Sequence, residues 1–155
     1  KENNLKFEDI SQIFVNQGPG NFSGLRGSIA VAKGISLSKN LNLSGYNTFI
    51  WSCAKFFNKH ESVLSFIEFR EKYFIKKFDR HLRATSEVEE VMDYEILQNF
   101  KNQTKVIPNN KIERFDKKIL KLNNLYFADL DHNELEFLYL KDLLDKDLIK
   151  PLYLS

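Results

Sequence analysis

A β-branched and aromatic run, Ile13-Phe14-Val15, leads almost directly into Gln17-Gly18-Pro19-Gly20-Asn21-Phe22-Ser23-Gly24-Leu25-Arg26. A stretch of apolar and small residues then continues to about Asn40. Strand, glycine turn, helix is the order that constrains this chain most. Gly18-Pro19-Gly20 stops the strand. Asn21 or Ser23 can cap the helix by accepting a hydrogen bond from a free backbone N–H of its first turn. This layout aims backbone N–H groups and a helix N-terminus at an anion or a polar partner.

The glycine spacing, G-x-G-x-x-x-G through Gly18, Gly20 and Gly24, is neither the dinucleotide fingerprint nor a P-loop. Leu25-Arg26 stands where a P-loop has its lysine and hydroxyl residue. Two readings stay open: a tight turn that needs positive φ, and a nucleotide loop. The helix carries a second signal. At about 100° per residue, Leu25, Ile29, Ala32 and Ser36 form a core-facing stripe. Gly24, Gly27, Val31, Gly34 and Ser38 form another, almost without side chains. Each interior glycine costs about 1 kcal/mol relative to alanine, so another backbone pressing close is the natural compensation. That backbone belongs either to the chain's own sheet or a neighbouring helix, or to a protein partner. Arg26 and Lys33 project between the stripes, seven residues apart on a common face.

Downstream, Leu43–Tyr46 reads as a strand, and Asn47 or Thr48 as the cap of a second helix reaching about Asn58. Val63–Ile67 and Tyr73–Ile75 form an expected hairpin across the polar link Glu68–Lys72. A short helix is expected over Asp93–Lys101, a strand over Thr104–Ile107 and another over Ile119–Leu122. Asp131 and Glu134 make a capping-box pattern that opens a helix to about Asp145. Pro151–Leu154 closes the chain as an extended tail.

Little else in the chain points to chemistry. His60, His81 and His132 are scattered without metal-ligand spacing. Cys53, the single cysteine, excludes an internal disulfide and reads as a small buried hydrophobe. No G-x-S-x-G elbow is present. The basic and aromatic run Arg70–Phe78 fits either RNA contact or, more simply, a strand with Tyr73 and Ile75 on one face and Lys72, Phe74 and Lys76 on the other. Net charge is +2, from 23 basic and 21 acidic residues, so no strong overall field draws the chain to nucleic acid or membrane. No apolar run approaches the roughly 20 residues that span a bilayer. With the polar opening Lys1-Glu2-Asn3-Asn4, cytoplasm is the expected compartment.

The string Gly18-Pro19-Gly20-Asn21-Phe22-Ser23-Gly24-Leu25-Arg26 resembles G-P-G-S-F-T-G-L-R, the hallmark of the TsaB (YeaZ, Gcp-like) family of bacterial tRNA threonylcarbamoyladenosine biosynthesis. Asn21 and Ser23 depart from it; the other seven letters agree. Asp9-Ile10, Ala32-Lys33-Gly34-Ile35-Ser36, Ile67-Glu68-Phe69-Arg70 and Pro151-Leu152-Tyr153-Leu154-Ser155 are similar to further family segments, with looser agreement after Trp51. The resemblance implies an α/β, actin/Hsp70-like (ASKHA) two-lobe fold. The first strands of the first lobe are absent from this sequence, as expected of a fragment. Residues 1–59 would be the remainder of that lobe, and residues 60–155 a second, smaller α/β lobe.

The resemblance also implies a non-catalytic scaffold that binds and stabilises the catalytic subunit TsaD, which modifies tRNAs reading ANN codons. A TsaE-type ATPase would join the assembly, a homodimer could use a similar surface, and tRNA would be met indirectly. ATP and metal would belong to those partners, with no cofactor, catalytic residue or metal ligand in this chain. Gly24, Gly27, Val31, Gly34 and Ser38 would form the partner interface. The alternative is an ASKHA-type phosphotransferase or ATPase using the Gly18–Gly24 loop on phosphates, although no positioned Asp follows a strand to hold Mg²⁺.

Overall fold

The computed structural model describes Asn4 and residues 6–155, with Lys111 described by its backbone alone; the polar opening Lys1–Asn3 lies outside the described residues. The chain forms two compact units, one running to Thr48 and including Leu144–Ser155, the other Phe49–Leu143.

In the first unit a single 3-10 turn, Phe7–Asp9, precedes strand β1 (Gln12–Asn16), helix α1 (Phe22–Lys39) and strand β2 (Asn42–Tyr46). β1 and β2 pair in parallel, Gln12 opposite Asn42 through Asn16 opposite Tyr46. A parallel pair needs a crossover, and α1 supplies it. Val15, Ile29, Ala32 and Ile149 form the core here, with Ile13 and Leu43 packed against them. Asn40, in left-handed conformation (φ 53°), closes the helix.

The second unit contains a five-stranded sheet in the order β5-β4-β3-β6-β7. Its elements are β3 (Ser62–Phe69), β4 (Lys72–Asp79), β5 (Glu89–Val91), helix α3 (Asp93–Asn99), β6 (Lys105–Pro108), β7 (Leu125–Ala128) and helix α4 (Asn133–Leu140), preceded by helix α2 (Thr48–Cys53). β3 and β4 form the expected hairpin, but its turn is only Arg70-Glu71, both at positive φ. That conformation matches the right-handed strand twist, and Glu68 Oε1 pins it by accepting the Glu71 N–H at 2.7 Å. Leu64, Phe66, Ile75, Val91, Ile96, Ile107, Phe115 and Ile119 make a contiguous core.

Four expectations are corrected. Ile119–Lys121 is a 3-10 turn rather than a strand. The N–H groups of Ile119 and Leu120 fold back on Asp116 O at 3.0 and 3.2 Å, and the strand forms at β7 instead. α2 stops at Cys53 and a 3-10 turn, Ala54–Phe56, follows; Asn58 (φ 58°) then turns its N–H to Arg80 O at 2.7 Å. α4 ends at Leu140 rather than near Asp145, because Asp142 turns left-handed (φ 58°) and Asp145 joins Gly45 in an antiparallel bridge. At the start of α4, Asp131 Oδ1 accepts the Asn133 N–H at 2.9 Å, one residue short of the expected box, and the Glu134 N–H donates to Asp131 O at 3.1 Å instead. The unit division falls at Thr48, where the sequence suggested 59/60, and the closing residues return to the first unit.

Candidate functional site

The glycine turn is held from both ends of the sequence. The Gln17 N–H donates to Tyr46 O at 2.6 Å, and Gln17 O accepts the Leu152 N–H at 2.6 Å. Gln17 Nε2 donates to Asp145 Oδ2 at 3.0 Å and to Lys150 O at 3.1 Å. Gly18 (φ 121°) lies in the region L side chains avoid, and an added Cβ would sit 2.8 Å from Leu152 O. Its N–H donates to Asn16 Oδ1 at 2.7 Å, and its carbonyl accepts the Thr48 N–H at 2.8 Å. The Gly18–Pro19 peptide is cis.

Of the two candidate caps, Asn21 does the work. Its Oδ1 accepts the Gly24 N–H at 2.6 Å, while the Leu25 N–H donates to Asn21 O at 3.0 Å. Phe22 stacks on Tyr153 with ring centres 5.0 Å apart, and the Arg26 guanidinium lies 5.0 Å from the Phe22 ring centre. The N–H groups of Gly18, Gly24 and Leu25 are therefore engaged within the chain. A phosphate arriving at this loop would have to compete for them.

α1 has two distinct sides. Leu25, Ile29 and Ala32 are buried, as their spacing predicts. Gly24, Gly27, Val31, Gly34 and Ser38 are all exposed, Val31 to 61%. Among the described residues, and apart from the adjoining residues and backbone of the helix itself, no atom lies within 4 Å of a Cβ added at Gly27 or Gly34. Of the two readings of this stripe, packing on the chain's own sheet or a neighbouring helix is not met among the described residues. Gly24 has a local reason to be glycine: a Cβ there would approach Asn21 Oδ1 to 2.6 Å and break the cap. Gly27 and Gly34 have no such reason.

The remaining candidates resolve into packing. His60 lies against Phe56 and Tyr126, His81 against Phe57, and His132 against Trp51. No group of three His, Cys, Asp or Glu residues that could hold a metal occurs among the described residues. Cys53 is fully buried, and burial pushes its thiol up to about 12, far from reactive thiolate behaviour. Tyr73 and Ile75 pack on the core and Phe74 is buried on the opposite face, so these rings are not displayed for stacking on bases.

Two features escaped the sequence reading. Lys105 is buried, with Nζ donating to the carbonyls of Phe100, Lys101 and Gln103 at 2.7, 3.2 and 2.5 Å. It closes the C-terminal end of α3, and burial lowers its pKa. Glu68 is also buried, and its Oε2 lies 3.5 Å from Arg114 Nη1 without a hydrogen bond to it. The two line a cleft of about 530 Å³ with Arg70, Glu71 and Tyr73. The closing residues Asp145, Lys150, Leu152 and Tyr153 gave no local signal of their place beside the turn.

A family model described as TsaD, tRNA N6-adenosine threonylcarbamoyltransferase, matches residues 1–118. The tRNA threonylcarbamoyladenosine biosynthesis protein TsaB of Buchnera aphidicola subsp. Baizongia pistaciae (strain Bp) is 37% identical over 62 residues, covering 39% of this chain and 28% of that protein. Two solved structures from Pseudomonas aeruginosa are similar. One, an uncharacterized protein with similarity to peptidase YeaZ, has a TM-score of 0.59 at 12% identity and covers 97% of this chain and 76% of its own. The other, YeaZ, has a TM-score of 0.57 at 11% identity, with 96% and 76% covered. At these identities the likeness shows the fold, which is the α/β, actin-like ASKHA type.

Proposed function

We propose a scaffold role for this chain, which belongs to the TsaD family of tRNA N6-adenosine threonylcarbamoyltransferases and within it is a TsaB/YeaZ member. In this reading it takes part in tRNA threonylcarbamoyladenosine biosynthesis, for tRNAs reading ANN codons, without performing the transfer. It docks a TsaD-type catalytic subunit through the outward face of α1, and a TsaE-type ATPase joins the assembly. ATP and metal reside on those partners, tRNA is met indirectly, and the work takes place in the cytoplasm.

The observation that carries the reading is the pair Gly27 and Gly34, exposed in mid-helix with nothing beyond the adjoining helix within 4 Å of an added Cβ among the described residues. Each costs the isolated helix about 1 kcal/mol relative to alanine, and nothing inside the described chain offsets that cost. A partner backbone approaching to van der Waals distance would. Exposed Val31 and Leu37 extend the same face. The phosphotransferase alternative draws less support, because three of the loop's donors, the Gly18, Gly24 and Leu25 N–H groups, already serve Asn16 and Asn21. No helix of the described residues is long and apolar enough to cross a membrane.

The test is complex formation with a TsaD-type subunit by size-exclusion chromatography, using Gly27→Leu and Gly34→Leu. Both variants have room to fold. Each is expected to keep its thermal transition, lose the complex, and lose the gain in threonylcarbamoyladenosine that the wild-type chain gives when added to its partners. Intact complexes in both variants would remove this face from the reading. Calorimetric titration with ATP and Mg²⁺ is expected to be flat, and measurable heat would turn the assignment toward the phosphotransferase.

A further inference from the structure

The cleft at the β3–β4 turn is built from residues of the second unit that the scaffold reading does not use. Glu68 is buried there, with 7% of its side chain exposed. Its two oxygens have different fates. Oε1 accepts the Glu71 N–H at 2.7 Å and so belongs to the turn. Oε2 accepts no hydrogen bond among the described residues, and the Arg114 guanidinium stands 3.5 Å from it. Buried carboxylate oxygens are normally hydrogen-bonded, and one left without a donor is costly. What stands against Oε2 is a long side chain that is itself 53% exposed, free to turn toward water. Arg70 forms no ion pair among the described residues, and its guanidinium lies 5.3 Å from the ring centre of Phe69. Phe69 and Tyr73 supply ring surface to the same cleft. Its volume of about 530 Å³ is that of a small-molecule site.

We propose that this cleft binds a free α-amino acid with an apolar side chain. The ligand's ammonium donates to Glu68 Oε2, Arg114 turns from that oxygen to the ligand's carboxylate, and the side chain lies against Phe69 and Tyr73. The exchange replaces one ion pair without a hydrogen bond by two that are hydrogen-bonded. An ammonium is compact and carries three donors, enough to fill a single open acceptor. The planar guanidinium fork matches a carboxylate with two parallel hydrogen bonds. The charges of Glu68, Glu71, Arg70 and Arg114 cancel, which suits a ligand without net charge. A simple amine would leave Arg114 without a counter-charge, and a simple carboxylate would leave Oε2 without a donor. Two arginines beside the buried carboxylate also disfavour a metal ion.

The test titrates the full ¹⁵N-labelled chain with L-leucine, L-leucinamide and N-acetyl-L-leucine, which share a side chain and differ at one end each. The Glu71 amide, bonded to the Glu68 carboxylate, and the Arg114 Nε–H report binding by NMR. L-leucine is expected to shift both signals to saturation, and each blocked form to bind about tenfold more weakly or worse. Glu68→Gln keeps a carbonyl oxygen for the Glu71 N–H and puts an amide donor in place of Oε2. It is expected to lose about tenfold or more in affinity for L-leucine. Arg114→Gln changes a half-exposed side chain, and it is expected to lose L-leucine to the same degree while binding L-leucinamide more tightly than the wild-type chain does. No saturable shift with L-leucine, or unchanged affinity for it in both variants, would overturn the proposal. So would L-leucinamide binding as well as L-leucine, the mark of a site for amines such as a peptide N-terminus. N-acetyl-L-leucine binding equally well would likewise replace it with a simple anion site. No partner subunit enters the measurement, so its failure leaves the scaffold reading standing.

Discussion

The second unit is held by neighbours in sequence, the first by residues from opposite ends of the chain. β3 and β4 pair over eight positions through a two-residue turn, and their inner faces supply Leu64, Phe66 and Ile75 to the core. The first unit has a two-stranded sheet, a small core centred on Val15, Ile29, Ala32 and Ile149, and a glycine turn closed by Asp145, Lys150 and Leu152. Burial of apolar area is the main stabilising term in folding, and the first unit has less of it, relying more on placed hydrogen bonds. It is also the unit whose helix leaves one face open. Stability and docking surface are thus distributed unequally between the two.

Three substitutions sharpen or break this contrast. Phe66→Ala has the largest expected effect. The ring is fully buried, with Phe115 and Tyr73 ring centres at 5.1 and 5.5 Å, and its loss is expected to cost about 3–5 kcal/mol. Urea unfolding followed by Trp51 fluorescence reads it, and a cost near zero would mean that this core does not carry the second unit. Gly18→Ala comes next, at about 1–3 kcal/mol for backbone strain, raised by the approach to Leu152 O. Hydrogen exchange is expected to show the Leu152 and Gln17 amides exposed first; unchanged protection would break the claim that the tail seals the turn. Asn21→Ala is the smallest, at about 1 kcal/mol for a lost cap. Its signature is faster exchange at the Gly24 amide, with the β3–β4 amides unaffected.

Local signals in the sequence matched local structure. The turn from Val15 into Asn21, the buried stripe Leu25-Ile29-Ala32 and the β3–β4 hairpin all follow from spacing within a few residues. The edge strands β5 and β7 did not announce themselves. Each is short and draws its conformation from pairing with β4 or β6 rather than from its own pattern. Ile119–Leu122 offers a short apolar run that fits a strand or a turn equally well, and Asp116 O decides in favour of the turn. Lys105 reads as a surface lysine because its three carbonyl partners converge only when α3 ends beside β6. The outward stripe of α1 was visible from the sequence, but its exposure was not, since glycine spacing is the same whether the close neighbour lies inside the chain or outside it.

The closure of the glycine turn also sets an order of events during synthesis. Gln17 and Asp145 are 128 residues apart, and Lys150 lies 133 beyond Gln17. At about 5–20 residues per second a ribosome takes roughly 6–27 seconds to cover that distance. The contiguous stretch Phe49–Leu143 emerges complete before Leu152 can reach Gln17 O. For that interval the nascent first unit holds Gln17 without its final partners. A chain released after Leu143 but before Lys150 would carry the whole sequence of its larger unit and leave its turn unsealed.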